Sequence, residues 1–481
     1  MSISPKTHHK PHFKALTLAF SLLTAAAILV AGCTSGSMLN NATSSATGPA
    51  FVVGTDAPMA SVTSFAVQIQ SIQLTDGSGN TASLISGTPT VDFARYNGLQ
   101  SLLDMNDVPV GTYTGVTISL GTATIGYLDT TTPPPAITTQ TATLTTNTIN
   151  IPLNKPLVIT KAGAPVGLRM DFDLHKSIQL DSNGNITGTV DPTFDVSTVA
   201  RTDTGGYIDE LVAAVVSVNA NGQSFVVQGP HGEQFTISVN GQTEWDGNAS
   251  LSTLNTSSIV QVSGQLDPAD QTLDADEVAV LSDKGFYAAG QVTYVTPSTG
   301  PATSFDLYVR GLLPTTTGIQ LGQIAQVNLT GSENFTIYWM HNPFTQFLFN
   351  SSGMVAGQSV AIGGPASGAA NANAVTVNRV ALRNWGFNGT VVNGSQSSAN
   401  GTFQMQINGF AGVLIPQTVT VYLGPKSDFR YGLGAFGDLA NGSNIRVVGL
   451  LLKNPTSGKL VLLGRHVDGL NLSDFTTVNY Q

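Results

Sequence analysis

The apolar positions of this chain alternate. Val62, Phe65, Val67, Ile69, Ile72 and Leu74 form a largely alternating run that stops at the turn Asp76-Gly77-Ser78-Gly79-Asn80. Alternation at period two marks a strand with one buried face. Thr112 to Leu120 (TYTGVTISL) repeats the pattern, and Leu168, Met170, Phe172 and Leu174 face one way in a third run. Asp181-Ser182-Asn183-Gly184-Asn185 supplies a hairpin loop around the favoured pair Asn-Gly. Pro133-Pro134-Pro135 marks an exposed loop. Leu99 to Met105 carries the one helical pattern, about a turn and a half long. Together these runs predict a β-sandwich domain over residues 50–200.

Residues 205–470 contain a diverged repeat. Each unit opens on a Val-rich strand: Ala214 to Val218, Gly290 to Val295, and Gly389 to Val392. A second strand follows at Ser224 to Val227, Phe305 to Val309, and Phe403 to Ile407. Then comes an aromatic, Trp245, Phe335 or Phe429, and a strand ending in glycine at Gly264, Gly364 or Gly449. An apolar strand closes each unit: Glu277 to Leu281, Asn378 to Leu382, and Lys459 to Leu463 with its continuation. Five or six short strands per unit suit a small barrel, in which a ring plugs one end and a glycine lets a strand bend at a corner. The expected architecture is all-β, a sandwich followed by three barrels at 205–284, 285–384 and 385–471, with a tail at 472–481.

Three motifs in the first domain resemble a bacterial lipoprotein domain family of unknown function, DUF4382. They are Thr55-Asp56-Ala57-Pro58, Val108-Pro109-Val110-Gly111-Thr112-Tyr113, and Met170-Asp171-Phe172-Asp173-Leu174-His175-Lys176-Ser177-Ile178. The resemblance implies an immunoglobulin-like or transthyretin-like sandwich and brings no catalytic residues. The repeat units resemble a second bacterial family of unknown function, DUF5666, which implies tandem OB-like barrels. The first unit fits best, through Thr243-Glu244-Trp245 and Gly264-Gln265-Leu266, and the other two carry insertions.

The amino terminus changes the picture. Lys6, Lys10 and Lys14 precede the apolar run Ala15 to Val30, with no acid among them. A basic head and a short apolar stretch form the pattern of a secretory signal peptide. Leu29-Val30-Ala31-Gly32-Cys33 follows and resembles the lipobox of bacterial lipoproteins. The resemblance implies cleavage of residues 1–32 and acylation of Cys33, which makes membrane lipid a partner. The competing reading is an ordinary signal peptide, or an uncleaved anchor, with a chance cysteine. Cys33 is the only cysteine, so no disulfide forms within the chain, and lipidation gives the thiol a use. Thr34 stands where Asp favours the inner membrane in enteric lipoproteins, which implies the outer membrane. The small polar residues up to 49 bury nothing and predict a flexible tether over 33–49.

Removing residues 1–32 takes away three of the 19 basic side chains and none of the 29 acidic ones, moving the net charge from −10 to −13. An acidic chain repels phosphate backbones, so nucleic acid is not an expected partner. No cofactor is expected either. His175, His231, His341 and His466 are scattered, without the close pairs of a zinc site, and read as exposed or individually capped. Asp267, Asp270, Asp274, Asp276 and Glu277 offer oxygen to calcium but lack the spacing of an EF-hand loop, and a hairpin turn at Asp267-Pro268 followed by a strand whose Asp274 and Asp276 point to water explains them without a metal. The same two readings apply to Asp181 to Asn185.

Trp245, Trp339 and Trp385 are candidates for stacking on sugar, with Tyr338, Phe344 and Phe347 near Trp339. The stretch 338–347 does not alternate and contains Pro343, so it reads as a loop with partly exposed rings. Trp339, Phe344 and Phe347 are therefore the expected ligand contacts. The functional expectation is a lipid-anchored envelope protein, not an enzyme, that binds a glycan or another envelope protein. The alternative is a carbohydrate-active enzyme using paired carboxylates between β-modules.

Overall fold

A computed structural model describes residues 46–57, 62–96, 101–129, 133–161, 166–182, 185–200, 207–229, 234–246, 249–267, 270, 272–282, 286–313, 319–337, 347–364, 374–408, 414, 416–430 and 432–469. Sheets dominate throughout. The first domain has two. One joins Phe194–Ala200, Val166–Asp173, Thr47–Ala57 and Ser101–Pro109, in that order. The other is built on the long pair Val62–Asp76 and Gly111–Asp129. The alternating residues Val67, Ile69, Ile72 and Leu74 all point into the core, together with Leu168, Met170 and Phe172. Phe172 is the centre of that core, with ring centroids 4.8 Å from Phe65 and 4.6 Å from Phe194.

Two expectations fail here. Residues 101–109 are a strand, not part of a helix, because Leu102 to Pro109 pair antiparallel with Thr47 to Val53. A sheet edge overrides a weak local helical period. The same pairing places Thr47, Gly48 and Pro49 in the sheet, so the predicted tether overlaps the fold. The one described α-helical turn is Leu174–Ser177, where the Asp173 carboxylate accepts the Lys176 N–H at 2.9 Å.

The three repeat units share one strand plan. In the first, Tyr207–Asn219, Ser224–Gln228 and Gln234–Ser238 form an antiparallel run. Ile259–Asp267 returns beside the opening strand. Thr272–Ser282 then completes the ring, antiparallel to Ile259–Asp267 and parallel to both Gln234–Ser238 and Glu244–Trp245. The third unit is a closed barrel of Trp385–Val391, Thr402–Ile407, Gln417–Arg430, Asn444–Lys453 and Leu460–Gly469. Its strand Gln417–Arg430 does the work of two. It pairs with the closing strand at Thr420 to Leu423, skips, and pairs again at Asp428 to Arg430.

The second unit follows the plan with Phe286–Thr296, Ser304–Leu313, Ile324–Asn328, Asn334–Ile337 and Ser359–Gly364. Its closing strand comes in two pieces, Ala374–Thr376 and Arg379–Arg383. Asn378 carries the ladder across the gap, donating to Gly363 O at 3.0 Å and accepting from Asn334 N at 2.8 Å.

The repeat's aromatic and glycine positions are equivalent in register. Trp245, Phe335 and Phe429 sit opposite Val278, Val380 and Val467 of their closing strands. Each ring packs on its own unit's core. A Cβ on Gly264, Gly364 or Gly449 would press on the carbonyl oxygen of Asp274, Thr376 or Leu463 respectively. Only glycine lets the two strands approach so closely at that corner.

The modules do not stand apart as a projecting string. Phe51, Val53, Leu102 and Val199 of the sandwich join the core cluster of the first unit. Tyr287, Ala289, Leu313, Ala361 and Ala381 of the second unit pack on Val212, Ile259, Ala279 and Leu281 of the first. Leu450, Leu452, Val461 and Leu463 of the third unit enter the core cluster of the second. The sandwich residue Leu128 packs with the third unit. All described residues belong to one compact unit.

Candidate functional site

The strand Leu460–Gly469 is buried along nearly its whole length, as is its partner Asn444–Lys453. Val467 and Val447 point into their own barrel. The outward positions are therefore covered by other modules, and several of them are charged. Register aligns these charges. Asp468 lies opposite Arg430 on one side and Arg446 on the other, and His466 lies opposite Asp428. A carboxylate is thus set between two guanidinium groups across three adjacent strands.

The first unit meets this row. Arg430 Nη1 is 3.3 Å from Asp209 Oδ1, and both residues are buried. The Arg430 guanidinium also lies 5.9 Å from the Tyr207 ring. Ser263 Oγ donates to the Asp209 backbone carbonyl at 2.9 Å, fixing the strand that carries it. Arg465 Nη2 lies 3.8 Å from Glu277 Oε2, again with both residues buried. At the rim, exposed Lys426 and Glu244 pair at 2.7 Å. The sandwich adds Arg169 and Asp171, paired at 3.2 Å. Arg446 acts electrostatically on Asp171, and its own Nε donates to Asn388 Oδ1 at 2.9 Å.

A second group of polar contacts joins the first and second units. Arg383 bonds to Glu210 and Tyr287 and reaches Gln261 Oε1 at 3.0 Å. Arg379 Nη1 donates to Val280 O at 3.0 Å. Arg310 ties the second unit to the sandwich through Ala94 O at 2.9 Å and lies 4.9 Å from the Trp385 ring.

Burial dominates the electrostatics of the junction. It pushes the Glu277 carboxyl up to about 7 against the pull of Arg465, and the Asp468 carboxyl up to about 6 against Arg446 and Arg430. It holds His466 well below the ordinary histidine range, with Arg430 adding to the effect, so the ring is neutral at pH 7. Tyr207 is raised for the same reason, burial. Three of the carboxylates gathered here, Asp209, Glu277 and Asp468, are exposed by 2% or less. Such a cluster can fix the relative register of modules.

The sequence-based candidates fare unevenly. Cys33 and the lipobox residues Val30, Ala31 and Gly32 lie outside the described residues, as do Tyr338, Trp339, Phe344, His231 and His341. Phe347 is half-buried, its ring 6.2 Å from Tyr422 of the third unit, while Leu348 beside it is 72% exposed. Trp385 is buried beside Arg310 rather than open to a sugar. Trp245 is half-buried, 6.5 Å from Phe225.

His466 corrects the reading of exposed or capped histidines, for it is fully buried and neither ring nitrogen has a hydrogen bond. His175 is half-buried. Among the acids suggested for calcium, Asp276 is exposed and Asp274 half-buried, but Glu277 turns inward to Arg465. Asp181 uses its carboxylate to close its own loop, accepting Asn185 N at 2.8 Å and Asn185 Nδ2 at 3.0 Å. Among the described residues, no group of three or more His, Cys, Asp or Glu side chains could hold a metal ion.

Arg430, Arg446, Arg465 and Asp468 were not anticipated. A signal was present: NIRVVGLLLK and LVLLGRHVDG are apolar at both parities. Strands of that kind are covered on both faces, so any charge inside them is a buried charge.

Comparison with known families adds names to two stretches. Residues 49–187 match the family model described as a domain of unknown function, DUF4382. Residues 213–279, within the first repeat unit, match that of a second domain of unknown function, DUF5666. Both matches agree with the resemblances carried by the sequence motifs. No curated protein matches the chain.

Proposed function

We propose that the protein is a lipid-anchored component of the bacterial cell envelope whose β-modules form one rigid, non-catalytic body that binds or scaffolds. The observation that carries the rigid-body reading is the polar junction, where Arg430 meets Asp209 and Arg465 meets Glu277 across two modules. Buried pairs of this kind are specific about geometry, since a shifted register strands a charge in low dielectric. The membrane reading rests on the lipobox at Val30-Ala31-Gly32-Cys33, with Thr34 favouring the outer membrane. Two acyl chains hold a protein stably where one does not.

The ligand class is a glycan or another envelope protein. The contact region we assign is the stretch 338–348, which carries Trp339, Phe344 and Phe347 and ends on exposed Leu348. The alternative, a carbohydrate-active enzyme, needs two solvent-facing carboxylates about 5–10 Å apart. Asp209, Glu277 and Asp468 at the junction are instead buried, which favours the non-catalytic reading.

Membrane attachment is tested by Cys33→Ser in the native host. The variant should move from the membrane to the soluble fraction, and continued tight attachment would reject lipidation. Binding is tested by cosedimentation with peptidoglycan and outer-membrane polysaccharide, and by crosslinking to envelope proteins. Retention of neither kind counts against the binding reading.

A further inference from the structure

Asp468 and Glu277 occupy costly positions. Asp468 is fully buried, and neither carboxylate oxygen accepts a hydrogen bond. Its neighbour His466, 3.8 Å away and equally buried, gives it none. Glu277 is exposed by 1% and meets Arg465 at 3.8 Å. A carboxylate moved out of water loses its hydration, and charges at this separation restore it only in part. Taking up a proton removes the cost.

The surroundings of both groups bear on this. Arg430, Arg446 and His466 face Asp468 from its own barrel, Asp209 from the first unit and Arg169 from the sandwich, while Asp428 lies opposite His466, and Asp171 is coupled to Arg169 and Arg446. Around Glu277 stand Arg465, Lys426, Glu244, Asp276 and Tyr207. Arg430 is already engaged by Asp209.

We infer that this junction is a proton-operated lock: Asp468 and Glu277 take up protons as the third unit docks, so docking is tightest at acidic pH and loosens as pH rises toward neutrality. The directions agree. Both carboxyl groups are raised in the folded chain, to about 6 and about 7, from ordinary values of 3.8 and 4.5. Their contribution is fully present below the ordinary values and is lost as pH rises through 6 and 7. His466 works the other way. Its value is depressed, so its contribution is present above the ordinary 6.5 and is lost as pH falls toward the lower folded value. Two carboxyl groups outweigh one histidine, so the lock loosens on balance between about pH 4.5 and pH 7.

Hydrogen exchange of the full chain reads the lock directly. Protection of Leu460–Gly469 and Tyr207–Asn219, corrected for intrinsic rates, should fall between pH 4.5 and pH 7. The fall approaches about tenfold per pH unit for each proton released. Asp468→Asn and Glu277→Gln mimic the protonated forms and should each flatten the slope, the pair together most. Constant protection in the unmodified chain overturns the proposal, and so does an unchanged slope in the variants. If a variant fails to fold, the urea midpoint of the unmodified chain decides. It should fall from pH 4.5 to pH 7, and a flat or rising midpoint rejects the lock.

Discussion

The outer face of one hairpin docks in two different ways. Near its turn, Leu450, Leu452, Val461 and Leu463 enter the core of the second unit. Near its other end, Arg446, His466 and Asp468 meet the polar groups of the first unit and the sandwich. Both halves are equally buried. The apolar half supplies attraction that is roughly proportional to area and tolerant of small shifts. The charged half supplies little net attraction but penalises misalignment steeply. Affinity and register are thus separated along about ten residues of each strand.

Four substitutions test that division. The largest effect is expected from Arg430→Met, which strands Asp209 without its partner and should cost about 3–5 kcal/mol. Adding Asp209→Leu should recover most of the loss, because two apolar side chains can replace a buried pair at little cost. A double-mutant cycle on urea unfolding measures this, and simple additivity would mean the pair does not act as a unit. Next comes Leu463→Ala in the apolar half, with a loss on the order of 3 kcal/mol from lost burial and a cavity. Its thermal midpoint should drop without any change in pH dependence, since no titrating group is touched. Lys426→Ala comes last. Its exposed pair with Glu244 should be worth under about 1 kcal/mol and disappear in high salt.

Strands were the most legible feature. Val67, Ile69, Ile72 and Leu74 are buried because a strand side chain alternates by geometry alone. The repeat was legible too, since Trp245, Phe335 and Phe429 fall at one register position. Residues 101–105 were misread because a short apolar run has no period of its own, and pairing with Thr47–Ala57 decided it. His466 was misread for a related reason. Outward on a lone barrel means solvent, whereas outward here means another module.

The sequence by itself determined the all-β class, the repeat and its glycine corner, the two family resemblances, and the expectation of a lipid on Cys33. Those follow from local stereochemistry and contiguous motifs. Only the tertiary structure decided which outer faces are covered. Asp209, Glu277, Arg430 and Asp468 lie up to 259 positions apart, between residues 209 and 468. Their meeting depends on how modules dock, and no periodicity within a strand encodes what lies against its far side.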